Sequence, residues 1–151
     1  MNEFIPRADR STSDLIRALG DADIEVRWRA AGALEKIGPS AVPSLLGALT
    51  EENVCVRQGA ARVLGDIGRR TDEVTAGLIK ALSDPDAIVR EHAAEALGKL
   101  EARDGAAIQA LAAALADHDP YVVGKAAAAL GKIGREAAAA LIAALQDLDE
   151  H

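Results

Sequence analysis

The sequence predicts an all-α protein, a right-handed α-solenoid of stacked antiparallel helical hairpins with about nine helices. Three observations point there. A twelve-residue pattern recurs as VRWRAAGALEKI from Val26, VRQGAARVLGDI from Val56, VREHAAEALGKL from Val89 and VVGKAAAALGKI from Val122, at spacings of 30, 33 and 33 residues. An internal period of this size marks a solenoid, in which no single unit can bury its own apolar face. Within a copy the spacing is helical: at about 100° per residue, Val89, Ala93, Ala96, Leu97 and Leu100 share one sector. Half of the residues are hydrophobic but only 2% are aromatic. The core must therefore be Ala, Leu, Val and Ile, whose small side chains let helices approach closely.

The elements follow in order. Residues 1–11 are a lead-in, in which Phe4 and Ile5 either fold back over the first hairpin or stay disordered. Ser11-Thr12-Ser13-Asp14 supplies N-cap candidates for a first short helix carrying Leu15, Ile16 and Leu19. That triplet returns as Leu45/Leu46/Leu49, Leu78/Ile79/Leu82, Leu111/Ala112/Leu115 and Leu141/Ile142/Leu145. Five short A helices thus alternate with four longer B helices, the latter over about 24–37, 53–67, 86–100 and 120–133. The whole chain, 1–151, reads as one domain with repeats at about 12–38, 39–68, 69–101 and 102–134 and a terminal half-repeat at 135–148. Gly38, Gly68 and Gly134 sit where a helix C-terminus needs positive φ. Asp84-Pro85 and Asp119-Pro120 each place a capping residue before a Pro at a first helical position. Short loops make successive helices antiparallel neighbours.

Charge and composition exclude several classes of function. A net charge of −7 is the wrong sign for general phosphate-backbone binding, so no nucleic-acid partner is expected. The longest apolar run, Ala137 to Leu145, is too short to cross a membrane. The single Cys55 excludes an internal disulfide and a Cys-rich metal site. The N-terminus carries no apolar core of signal-peptide length. A soluble, cytoplasmic protein is the simplest reading.

The recurring VRxxAAxALGxIG, with an acidic residue six positions before the Arg, resembles the HEAT-like repeats of the phycobilisome bilin-lyase type over roughly residues 12–148. The resemblance implies an Asp–Arg ladder through the stack. Its candidate pairs are Asp21 with Arg27, Glu51 with Arg57, and Asp84 with Arg90. The fourth copy sets Asp117 against Val123, so the ladder is expected to weaken there or Asp117 to serve only as a turn residue. Lyases of this family attach tetrapyrroles to cysteines of light-harvesting proteins, so an accessory subunit or fragment of a bilin lyase or isomerase is the alternative function. The repeat is a scaffold shared by many functions and does not transfer that activity by itself.

Residues that could carry chemistry are few. A related HEAT-repeat enzyme, the di-iron deoxyhypusine hydroxylase, carries His-Glu pairs at the position of Glu91-His92. Here the order is reversed and occurs once, against Trp28-Arg29, Gln58-Gly59 and Gly124-Lys125 in the other repeats. His92 therefore reads as a solvated helix-face residue. Asp117-His118-Asp119 reads as a turn with Asp119 as N-cap, and Cys55 as a small, partly buried hydrophobe. No catalytic residue, metal site or cofactor is expected.

What remains is a stripe of variable positions on the B helices, which the resemblance places on the concave side. Its candidate partner-binding residues are Trp28, Arg29, Lys36, Gln58, Arg62, Asp66, Glu91, His92, Glu95, Lys99, Lys125 and Lys132. Six cations face three carboxylates on this stripe in a chain of net −7. The expected function is a non-enzymatic protein-interaction scaffold holding a protein or peptide, acidic or of mixed polarity. Trp28 serves there either as a contact residue or as a cap on the first hairpin. The apolar last A helix, about 136–147 and extended by Leu148, adds an expectation of either weak end-to-end self-association through the C-terminal edge or truncation from a longer array.

Overall fold

The computed structural model describes residues 11–149, which form α-helices and one 3-10 turn with no strand among them. The A helices are α1 (Thr12–Ala18), α3 (Val42–Ala48), α5 (Asp72–Ala81), α7 (Gly105–Ala114) and α9 (Arg135–Asp149). The B helices are α2 (Ile24–Ile37), α4 (Val54–Ile67), α6 (Ala87–Lys99) and α8 (Pro120–Ile133). Gly38–Ala41 forms the 3-10 turn before α3. α1, α3, α5 and α7 each pack on the B helix that follows, α9 packs on α8, and A helices and B helices each pack on their like neighbours in the stack. No described helix is long and apolar enough to cross a membrane.

Local chemistry sets the ends. Ser11, Asp23, Asn53, Thr71, Asp86 and Asp119 accept backbone N–H bonds at the starts of their helices. Gly38, Gly68 and Gly134 take φ of 75°, 74° and 79°, as expected, whereas α6 ends without glycine and leaves Glu101 at φ 50°. Asp119-Pro120 behaves as read, with Pro120 in the first turn of α8. Asp84-Pro85 does not. The N-cap of α6 is Asp86, and Asp84 stands two residues earlier, accepting the Asp86 N–H at 2.9 Å.

The core is one continuous cluster. Leu64, Leu97 and Leu130 are buried, with Leu15, Leu45, Leu78 and Leu111 beneath them from the A side. The B-helix face that carries Ala61 and Gly65 in α4, and Ala94 and Gly98 in α6, is the stacking surface: Ala61 and Ala94 are fully buried. A side chain at Gly65 would meet the Ala96 backbone at 2.9 Å, and one at Gly98 the Ala129 backbone at 2.9 Å. Glycine there lets α4, α6 and α8 close on one another. In the first repeat the same column holds Glu35, and α2 packs far less extensively on α4.

The Arg ladder exists, but its carboxylate rungs run between repeats. Arg57 binds Asp84 through both Nε and Nη2, at 2.9 and 3.3 Å, and Arg90 binds Asp117 the same way, at 2.8 and 3.1 Å. Within its own repeat each Arg donates Nη1 to turn carbonyls: Arg27 to Asp21 and Ala22, Arg57 to Glu51 and Glu52, Arg90 to Asp84 and Pro85. A guanidinium presents five donors in a rigid fork, so it can hold its own turn and the next repeat's carboxylate at once. The expected pairing of Asp21, Glu51 and Asp84 with the Arg of the same repeat is therefore corrected. Asp117 is not a bare turn residue either. It ends the ladder as the acceptor for Arg90, and Val123 has no donor to extend it.

Candidate functional site

The site grows from the looseness of the first interval. Because α2 stands off α4, a depression of about 180 Å³ opens between α2, α4 and α6. Leu19, Ile24, Trp28 and Ala31 form one side, Cys55, Gln58, Gly59 and Arg62 the floor and far side, and His92 reaches in from α6; Arg27 completes the rim. A Cβ at Gly59 would lie 3.0 Å from the tip of the Leu19 side chain, a tight contact. Trp28 is 59% exposed and Ile24 48% exposed. Two arginines and no carboxylate line the depression.

His92 differs from its expected state. It is half-buried rather than solvated, and its Nδ1 is sealed from solvent without a hydrogen-bond partner. Burial holds its imidazole below the ordinary histidine value, assisted by Arg62 and Lys125 and opposed by Glu91 and Glu95. The ring is therefore neutral near pH 7.

The structure brings Trp28, Gln58, Arg62 and His92 around one depression and distributes the other predicted residues along the same face. Several are tied to each other. Lys99 binds Asp66 at 2.6 Å and Lys125 approaches Glu95 at 3.4 Å, bridging neighbouring B helices. Arg62 lies 3.8 Å from Asp66, and Arg29 lies 4.0 Å from Glu25. Gln58 donates to the N-cap Asp86 at 3.1 Å. Among the described residues, Lys36 and Lys132 have no carboxylate within 4.0 Å, and Glu91 makes no ion pair. Among the described residues the unpaired cations of the stripe thus stand at its two ends, Lys36 on α2 and Lys132 on α8, with the cross-helix pairs between them.

Asp86 and Asp117 are held below the ordinary carboxylate value. For Asp86, burial raises it, but bonds from the Val89 N–H, the Gln58 amide and the Ile88 N–H, with Arg57 nearby, outweigh burial. For Asp117 the bond from Arg90 dominates. Among the described residues no group of three or more His, Cys, Asp or Glu side chains is placed to hold a metal ion.

The sequence reading left Ile24, Ile88 and Tyr121 out of the stripe and took Cys55 for a partly buried hydrophobe, which it is. Cys55, Ile88 and Tyr121 occupy one repeat column, and Ile88 and Tyr121 are 46% and 71% exposed. Their regular 33-residue spacing was available as a signal. The opening of the first interval was likewise announced by Glu35 in the glycine column.

Comparison with known proteins agrees with this architecture. Curated proteins give no sequence match. Among solved structures, the CpcE–CpcF complex of phycocyanin lyase from Nostoc sp. PCC7120 superimposes with a TM-score of 0.72 at 24% identity, covering 81% of this chain and 77% of that one. Human deoxyhypusine hydroxylase gives 0.65 at 28% identity over 85% of this chain, which spans 45% of the enzyme chain. A designed armadillo repeat protein in complex with the peptide (KR)4 gives 0.59 at 20% identity, covering 93% and 74%. The first and third are likenesses of fold alone. Residues 12–77 and 75–151 both match the profile of HEAT repeats, so together they take in nearly the whole sequence. The chain belongs to the HEAT-repeat family.

Proposed function

We propose that this protein is a non-enzymatic interaction scaffold that binds an acidic, partly apolar peptide segment on the face of its B helices. The segment is centred on the depression between α2, α4 and α6. The observation that carries this reading is the lining of that depression: an exposed Trp28 beside Ile24, with Arg27 and Arg62 at hand and no carboxylate. Tryptophan and arginine are the residues most enriched where binding energy concentrates. An acidic side chain between two arginines, with an apolar neighbour against Trp28, satisfies both kinds of surface.

The close approach of α4, α6 and α8 at Gly65 and Gly98 supports placing the B helices on the inner, concave side. The layer with the tighter spacing lies on the inside of a curved stack. The Lys99–Asp66 and Lys125–Glu95 bridges stiffen that surface, which lowers the cost of ordering side chains on binding.

The test uses a fluorescein-labelled synthetic peptide of glutamates interspersed with leucines, and a control with lysine in place of glutamate. Fluorescence anisotropy should show saturable binding of the acidic peptide, weakened by salt. Arg62→Glu should weaken it at least ~10-fold, or about 1.4 kcal/mol. Tighter binding of the lysine peptide, or equal binding by Arg62→Glu, would refute the proposal.

A further inference from the structure

The last helix carries a second surface that the peptide site does not use. On α9 the residues Arg135, Ala138, Ile142, Leu145 and Asp149 are spaced 3, 4, 3 and 4 apart and are all exposed. That spacing is the narrow seam of a coiled coil. Ile142 and Leu145 are 58% and 62% exposed, although in the Leu145 column Leu19, Leu49 and Leu82 are buried and Leu115 is partly buried.

The seam is complementary to its own reversal. Ile142 stands at the midpoint of α9, Arg135 and Asp149 at its two ends. An antiparallel partner with the same sequence sets Ile142 against Ile142, Leu145 over the small Ala138, and Arg135 beside Asp149 at both ends. Parallel pairing would instead set like charges together. From this self-complementarity we infer that the protein forms a two-fold symmetric dimer through an antiparallel pair of α9 helices. Such an interface is closed, and growth stops at two. A single helix pair falls short of the ~1,600 Å² of a standard interface, so the association is weak and reversible.

Sedimentation equilibrium of the full chain tests this over a roughly 100-fold concentration range reaching high micromolar. The average mass should rise from 15.6 kDa toward twice that value and stop. Leu145→Glu, at an exposed position, should keep its helical circular dichroism and lose association by at least ~10-fold. Arg135→Asp and Asp149→Arg should each weaken the dimer, and the two combined should restore it. In a Cys55→Ser background, Ile142→Cys should cross-link to itself under mild oxidation. A monomer at every concentration, growth beyond two copies, or single charge reversals that the double variant fails to repair would overturn the inference.

Discussion

At the scale of the residue, His92 and Trp28 show how neighbours decide a side chain's role. His92 sits on a helix face that periodicity alone reads as solvated. Its equivalent one repeat earlier is Gly59, and both residues line the same depression. Because the folded pKa is depressed, the unfolded chain takes up the proton more readily as pH falls. Stability should therefore be fully present above about 6.5 and decline as pH falls below that value. Urea denaturation at pH 7.5 and 5.5 should show this loss in the native sequence and a smaller one in His92→Gln. Equal losses in both would remove His92 as the source. For Trp28, the contact reading expects Trp28→Ala to keep its melting temperature within a few degrees while acidic-peptide binding falls at least ~10-fold. A cap would lose stability instead. Phe4 and Ile5, the partners considered for a cap, lie outside the described residues.

At the scale of the element, the ladder is the feature that sequence spacing described incompletely. The six-residue interval from Asp84 to Arg90 is real and fixes a contact, but the contact uses the Asp84 carbonyl. The carboxylate, meanwhile, answers to Arg57 of the previous repeat. A linear spacing cannot tell a side chain's bond to a neighbouring carbonyl from its bond to a carboxylate one repeat away. The ladder thereby clamps two successive A–B turns, with Arg90 17% and Asp117 12% exposed. Arg90→Ala should cost about 1–3 kcal/mol, the range for a charge-assisted bond whose partner is left half-buried. Thermal denaturation should show that loss, and Val123→Ala should show much less. Acidification removes the same support from the other side. Asp117 is stabilising above its ordinary carboxylate value, and that stability is lost as pH falls through its depressed one.

At the scale of the molecule, nearly all of the architecture was legible. Four copies of one pattern fix the order of helices, the stacking direction and the core, because each position must satisfy the same neighbours in every repeat. What repetition cannot disclose is where one copy departs from the rest. Glu35 in place of glycine loosens a single interval, and the candidate site is the result. Periodicity also gave charges without their pairing, so the stripe looked more uniformly positive than Lys99–Asp66 and Lys125–Glu95 leave it. The core itself tolerates no such local freedom. Leu97 is fully buried, and Leu97→Ala should cost roughly 2–5 kcal/mol in chemical denaturation.

The central claim is that the B-helix face around α2, α4 and α6 is the working surface. Amide and indole chemical shifts, followed by NMR while the glutamate–leucine peptide is titrated into the full chain, test it most directly. The account predicts that the Trp28 indole and the amides of Gln58, Arg62 and His92 shift first and furthest, with Lys99 and Lys125 following. Shifts confined to the A layer around Ile16, Leu46 and Ile79, or none at any peptide concentration, would contradict it.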